Sequence, residues 1–180
     1  MRITSTRTVA LAATLGVLVG LTALPQAQAD RAGFRSVLSA AIEAAERDNF
    51  ESMEGRFKER IFDDLTTYTC DVLLPGADTC EVHAYSGRQS LKNFVVWFYD
   101  DGKTREAADQ LFSELMDNIK QAVPSGWIGR ETPKSSLGPR DLREFRTSTK
   151  EDFGPAITIL ATRRAELFTI RVQMNAVHVN

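Results

Sequence analysis

The strongest constraint on the fold is one apolar segment, Asn93-Phe-Val-Val-Trp-Phe-Tyr99. Its β-branched and aromatic residues favour a strand, and Asp100-Asp101-Gly102 supplies turn residues that end it. Because apolar side chains alternate onto both faces, this strand must be central in a sheet or lie under another element. The segment therefore predicts a sheet whose middle is covered.

Two amphipathic helices are predicted to cover that sheet. The first has apolar residues at three- and four-residue spacing over residues 34–45, and the pattern partly continues to about residue 62, with Gly55 as a weak point. The second begins near Lys103 and is closed by Pro124-Ser-Gly126. Its buried stripe is predicted to contain Ala108, Leu111, Phe112, Leu115, Ile119, Ala122 and Val123.

The remaining periodic segments predict strands, and together they indicate an α+β fold. The predicted strands are residues 65–74, 80–85, 91–99, 127–131, 142–148, 155–163 and 168–175. The element order is α-β-β-β-α-β-β-β-β, which is also compatible with two α-β-β-β copies. We predict a single antiparallel sheet of six to seven strands with both helices packed on one face.

Cys70 and Cys80 are the only cysteines of the chain and are predicted to form a disulfide. Pro75-Gly76 between them suits the centre of a type II turn, because proline presets φ and glycine accepts a positive φ. A hairpin folded there would bring the sulfurs within bonding range, and the bridge should stabilise the fold by about 3 kcal/mol. The Cys-x-x-Cys spacing of redox centres is absent, so a structural role is favoured over free thiols or a redox centre.

The first 29 residues have the pattern of a cleaved secretory signal peptide. Arg2 and Arg7 precede an uncharged apolar run over residues 9–24, and Ala27-Gln28-Ala29 places small residues at the cleavage positions. The run is short for a membrane span, and no cysteine follows the predicted cut. We therefore predict one globular domain over residues 30–180, located in the periplasm of a bacterial envelope or secreted, with no stable membrane anchor after cleavage.

The charge balance argues against nucleic acid as a partner. The leader contains two arginines and no acid, so residues 30–180 hold 20 basic and 24 acidic residues, a net charge of −4. The distribution is uneven, because residues 30–102 carry a net −6 and residues 103–180 a net +2. The basic excess of the second half either solvates exposed strand faces or forms a binding surface for an acidic partner.

The sequence contains no recognisable constellation for catalysis or metal binding. His83 and His178 are the only histidines, too few for a zinc site beside two bridged cysteines. His83 is expected to be a surface or partly packed residue, with a catalytic base as the alternative. The acidic pairs at 63–64, 100–101 and 151–152 fall at element boundaries, where aspartate favours turns and helix starts. We assign no catalytic residue, no metal ligand and no cofactor.

The aromatic side chains of the central strand are the best candidates for a functional surface. Trp97 and Tyr99 alternate with residues that would face the helices, so they meet solvent, a partner or covering loops. Exposed Trp and Tyr beside arginine are typical of interfaces. We predict a binding surface of Trp97 and Tyr99 flanked by Arg143, Arg146 or Arg171.

The predicted function is that of an exported, non-enzymatic binding or accessory module that contacts a protein partner or a small apolar ligand. Alternatives are an envelope hydrolase that uses carboxylates and a secreted inhibitor or effector. The sequence leaves the oligomeric state open.

Overall fold

The computed structural model describes residues 23–87, 91–100, 104–133, 136–149, 154–164 and 167–176, with side chains from residue 31 onward except at 99, 100 and 164. The helices are α1 (Ala23–Asp48) and α2 (Arg105–Ala122), and Glu51–Met53 is a short 3-10 turn. The strands are β1 (Glu54–Phe62), β2 (Leu65–Cys70), β3 (Thr79–Tyr85), β4 (Lys92–Asp100), β5 (Ile128–Glu131), β6 (Asp141–Ser148), β7 (Ala156–Arg164) and β8 (Leu167–Asn175).

The strands of the described residues form one antiparallel sheet, in the order β1-β2-β3-β4-β8-β7-β6-β5. The chain thus builds two halves, each a helix followed by four strands, and joins them where β4 pairs with β8. This central pairing has no register shift and places Val96 opposite Val172. The predicted single antiparallel sheet is confirmed, although the described sheet has eight strands instead of six or seven, because the first half has four strands instead of the predicted three.

Both helices cover the same face of the sheet, as predicted. Their apolar stripes meet alternate residues of β4, β7 and β8 in one buried cluster. α2 begins after Thr104, whose hydroxyl accepts a hydrogen bond from the Ala107 N–H (3.3 Å), and Gly126 beyond its end has φ of +102°. The large, fully buried side chains of the cluster include Leu38, Phe50, Phe94, Phe98, Phe112, Ile119, Phe145, Ile157, Ile159, Ile170 and Met174.

The prediction that the first helical pattern continues to about residue 62 is wrong beyond Asp48. Asn49 and Phe50 have left-handed backbone angles, with φ of 54° and 65°, which turn the chain away from the helix axis. The Phe50 N–H donates to the Ala44 carbonyl (3.2 Å), and the buried Phe50 ring lies 6.2 Å from the Phe94 ring, measured between centres. Burial of this large ring offsets the strain of its positive φ.

Residues 54–62 form the edge strand β1 instead of more helix. Gly55 is required there, because a Cβ at this position would lie 2.7 Å from Thr69 Oγ1 on β2. Phe57 and Ile61, whose spacing suggested a helix, are 62% and 43% exposed on the strand. Register shifts interrupt the pairing of β1 with β2, and charged residues separate the apolar ones, which protects a sheet edge from aggregation.

The predicted cysteine hairpin is confirmed. Cys70 at the end of β2 is bonded to Cys80 on β3, with their Cα atoms 5.6 Å apart. The Ala77 N–H donates to the Leu74 carbonyl (3.0 Å) and the glycine of Pro75-Gly76 has φ of +81°, as in the predicted type II turn. β2 ends four residues earlier than predicted, so the buried Leu74 belongs to the loop.

The predicted leader lies mostly outside the described residues, which begin at Ala23. The backbone of α1 is helical across the predicted cleavage position between Ala29 and Asp30. Among the described residues, no helix is both long and apolar enough to cross a membrane. Cleavage and export stay predictions.

Candidate binding groove on the outer face of the sheet

The face of the sheet opposite the helices, called the outer face below, carries Trp97. Trp97 on β4 lies opposite Arg171 on β8, which in turn lies opposite Leu160 on β7. Residues directly opposite each other in antiparallel strands share a face, so these three form one row. A second row, one step further along the strands, contains Thr169, Thr162 and Asp141.

These two rows border a groove of about 440 Å³ on the outer face. A volume of this size falls within the range of small-molecule sites. Trp97 and Leu160 give the groove apolar walls, and Thr162 and Thr169 add hydroxyl groups. The other lining residues are Arg140, Asp141, Arg163 and Arg171.

Trp97 and Arg171 are in direct contact. The guanidinium carbon of Arg171 lies 5.5 Å from the centre of the Trp97 ring. A cation at this distance is attracted to the negative face of an indole. The ring therefore helps to fix the position of the Arg171 side chain within the groove.

Arg140 and Arg163 are linked through the backbone. Arg140 precedes β6, and its carbonyl accepts a hydrogen bond from the Arg163 N–H on β7 (3.0 Å). The Arg163 guanidinium lies 5.7 Å from the centre of the Phe168 ring. Arg163 lies directly opposite Phe168 and so shares its face, on the helix side of the sheet. The guanidinium groups of the outer-face groove therefore come from two elements: the turn before β6 and strand β8.

The groove carries an excess of positive charge. Arg140 and Arg171 contribute two guanidinium groups to it, and Asp141 contributes one carboxylate. Within the described ranges, neither Arg140 nor Arg171 forms an ion pair with a carboxylate. The Asp141 carboxylate is turned towards the preceding turn, where its Oδ2 lies 2.9 Å from the position of a Cβ on Gly138. An anion bound in the groove would supply the missing counter-charge.

A second, larger depression of about 770 Å³ lies between α2 and strands β5 and β6. Its charges are paired: Arg143 Nε donates to Glu131 (2.9 Å), and Arg105 lies 3.7 Å from Asp109. Arg143 also donates to Ser113 Oγ (3.0 Å). Because these charges compensate one another, this depression has no net charge that would attract a charged ligand.

The structure brings together some of the predicted binding residues but not all of them. Arg171 lies beside Trp97, as described above. Arg143 lies on the helix side of the sheet and does not flank Trp97. Arg146 is exposed on the outer face, but it is three strands from β4, roughly 14 Å at ordinary strand spacing. The side chain of Tyr99 lies outside the described part of the structure.

The outer face of the first half carries a compensated charge cluster. Glu81 pairs with Lys58 through Oε1, and its Oε2 lies 2.7 Å from His83 Nε2. Burial raises the pKa of Glu81, but the hydrogen bonds and positive charge of Lys58 and His83 outweigh burial and hold the pKa below its ordinary value. His83 is thus partly packed, as expected.

Metal-binding and catalytic clusters remain unsupported. In the part of the chain that the structure describes, no group of His, Cys, Asp or Glu side chains is arranged to hold a metal ion. Asp63-Asp64 is exposed between β1 and β2, as a turn pair should be. His178, Glu151-Asp152 and the side chains of Asp100-Asp101 lie outside the described residues.

Several groove residues were not predicted as binding residues, namely Arg140, Asp141, Leu160, Thr162, Arg163 and Thr169. The direction of Thr169 could have been inferred, because it alternates with Ile170 in the predicted last strand. Arg140 follows Gly138-Pro139 in a loop, where no alternation indicates side-chain direction.

Comparison with known proteins gives no relative for this chain. No protein-family model matches it, and no curated protein or solved structure is significantly similar to it.

Proposed function

We propose that this chain is an exported binding module that holds a small ligand in the outer-face groove beside Trp97. The observation that carries the proposal is the contact of Trp97 with Arg171 inside a groove of about 440 Å³. An aromatic ring, an aliphatic side chain and a cation then face the same space, which is the combination that ligand pockets use.

The difference in burial between Trp97 and its neighbours on the central strand supports a binding role for Trp97. Its neighbours Val96 and Phe98 point to the helices and are fully buried, whereas Trp97 is only half-buried on the other face. The indole therefore adds little to the main core. A partly exposed aromatic ring that lies outside the main core can contribute contact area to a ligand.

A binding role also fits the groove better than carboxylate-based hydrolysis. A glycosidase mechanism needs two carboxyl groups about 5–10 Å apart on either side of the bond that is cleaved. Among the described residues, Asp141 is the only acidic side chain that lines the groove.

Export is supported by two features of the chain. The leader pattern of residues 1–29 is that of a secretory signal. The Cys70–Cys80 disulfide is typical of proteins that mature in an oxidising compartment. Expression of the full chain in a bacterial host should yield a periplasmic or secreted product that begins at Asp30. An intact cytosolic chain would contradict this part of the proposal.

The binding role is tested with two fluorescent probes, 8-anilinonaphthalene-1-sulfonate and N-phenyl-1-naphthylamine, each excited directly. Trp97→Ala should weaken the binding of the tighter probe by about tenfold or more, because it removes the aromatic wall of the groove. Tyr85→Ala is the matched control, since Tyr85 is an exposed aromatic residue on the outer face of β3, outside the groove.

Two outcomes would overturn the binding role. Probe affinity that is the same in Trp97→Ala and in the unchanged chain would show that the groove does not bind. A large fall in the melting temperature of Trp97→Ala would show that the indole is required by the core.

A further inference from the structure

We propose that the ligand of this groove is a small organic anion, whose acidic group is bound by Arg140 and Arg171 and whose flat apolar part lies against Trp97. This inference rests on the proposed function and adds the chemical class of the ligand. The class is a carboxylate, phosphate or sulfonate attached to an aromatic or otherwise planar group.

The first argument is the charge of the groove, compared with cations elsewhere that are bound by carboxylates. Lys58 pairs with Glu81, and Lys92 Nζ lies 2.6 Å from Glu54. Arg143 on the helix side is bound by Glu131. In the groove, two guanidinium groups, those of Arg140 and Arg171, face one carboxylate, that of Asp141, and neither arginine forms an ion pair with a carboxylate of the described residues.

The second argument is the geometry of the arginines. A guanidinium group is a planar fork that can donate two parallel hydrogen bonds to one carboxylate, phosphate or sulfonate. Contact with the Trp97 ring positions Arg171, and the backbone bond to Arg163 positions the turn that carries Arg140. The donors thus come from separate elements, and an anion between them needs little rearrangement of the backbone.

The third argument is the combination of charge with an apolar wall. A simple inorganic anion would gain no apolar contact from Trp97 and Leu160, which line this groove. A purely apolar ligand would leave the arginines without a counter-charge, at a cost in desolvation. A molecule with an acidic group on a flat ring supplies a counter-charge for Arg140 and Arg171. Its ring also packs against the apolar side chains of Trp97 and Leu160.

The size of the groove favours a small molecule over a macromolecule. Its volume of about 440 Å³ is that of a ligand site, whereas stable protein interfaces bury about 800 Å² per partner across 20–30 residues. The described residues that line it number eight. We therefore commit to a free small anion as the occupant.

The two dyes named above test the inference directly, because they differ by a single sulfonate group. With the unchanged full chain, the sulfonated dye should bind about tenfold tighter than its neutral analogue, the effect expected of a charged hydrogen bond. Its affinity should fall as the salt concentration approaches about 1 M, where charges are screened beyond roughly 3 Å. The affinity of the neutral dye should change little with salt.

Single substitutions test which arginines bind the sulfonate group of the dye. Arg140→Gln and Arg171→Gln should each weaken the sulfonated dye by about tenfold and leave the neutral dye unchanged. Arg146→Gln is the matched control, since Arg146 is exposed on the same face outside the groove. Competition gives a second readout that needs no variant: 1-naphthoate should displace the dye, while 1-naphthamide and inorganic sulfate should displace it poorly.

The outcomes separate this inference from the proposed function. If both dyes bind equally and both depend on Trp97, the groove binds ligands but does not select anions, and the inference alone is overturned. If naphthoate and naphthamide compete equally, the inference is likewise overturned. If neither dye depends on Trp97, the proposed function itself fails. Strong displacement by sulfate would show that the aromatic part of the ligand is not recognised.

Discussion

The guanidinium carbon of Arg143 lies 4.2 Å from the centre of the Phe112 ring, on the side of the sheet that the helices cover. Arg143 Nη1 also reaches back to α2, where it donates to Ser113 Oγ (3.0 Å) and to the Asp109 carbonyl (3.3 Å). Its Nε donates to Glu131 on β5. Arg143 therefore ties α2 to the edge of the second half, and its role is structural.

Arg143→Ala should destabilise the fold by about 2 kcal/mol, because it removes a ring contact and several charged hydrogen bonds at once. Chemical denaturation measures the loss. Arg130→Ala, an exposed arginine on β5, is the control and should change stability by no more than about 0.5 kcal/mol. Binding of the sulfonated dye should be unchanged in Arg143→Ala. A variant that loses the dye but keeps its stability would contradict this assignment.

Gly129→Ala should destabilise the second half by about 1–3 kcal/mol, the usual cost of overpacking. A Cβ on Gly129 would lie 2.6 Å from Cζ of Phe145, and that ring is fully buried. Gly87→Ala is the control, because a Cβ there meets no atom within 4 Å. Thermal unfolding of the two variants should therefore differ by several degrees. Equal melting temperatures would show that Phe145 can move without cost.

Removing the Cys70–Cys80 bridge should lower the free energy of unfolding by about 3 kcal/mol, because the unfolded chain regains the freedom that the ring denied it. The paired variant Cys70→Ser/Cys80→Ser should melt roughly 6–12 °C below the oxidised protein. Intact-mass measurement of the unchanged chain before and after reduction should show a gain of two hydrogens. No change in mass on reduction would disprove the bridge.

Glu81→Gln should destabilise the fold at neutral pH and matter less in acid. The folded-state pKa of Glu81 lies below its ordinary value of 4.5, so the carboxylate contributes stability that is fully present above that value. This contribution is lost as the pH falls through the folded pKa. Unfolding at pH 7 and at about pH 3 should show the difference between Glu81→Gln and the unchanged chain becoming smaller.

Glu43→Gln on α1 is the control for that experiment. Glu43 pairs with Arg47 at the surface, where its side chain is 69% exposed. Exposed pairs contribute little, so this variant should stay within about 0.5 kcal/mol of the unchanged chain at both pH values. A stability difference for Glu81→Gln that does not vary with pH would contradict the role given to its charge.

Much of the fold was predictable because buried positions recur at regular spacing, and apolar residues occupy them in the sequence. The strands β4 and β8 show it most clearly, and both lie at the centre of the sheet within one residue of their predicted ends. β1 was not predictable, because its few apolar residues happen to fall at helical spacing. The chain leaves the helix at Asn49 because Phe50 is buried and because Thr69 approaches Gly55 closely. Both contacts depend on residues that are distant in the sequence.

The candidate site was only partly predictable for a related reason. Alternation indicated that Trp97 and Arg171 point away from the helices, and the register then places them side by side. The same alternation separates Arg143 from Arg146, because Arg143 shares its parity with the buried Phe145. No local pattern could bring Arg140 to the groove, since its position follows from a turn that docks on β7.

The position of β8 at the centre of the sheet affects when this protein can fold during its synthesis. β4 has no neighbour on one side until the residues of β8 leave the ribosome, because β8 is the last described strand of the chain. Until then the first half has an unpaired strand edge, and the buried cluster that both halves share cannot close. The pairing that joins the two halves is therefore a contact of long sequence separation, and such contacts slow folding.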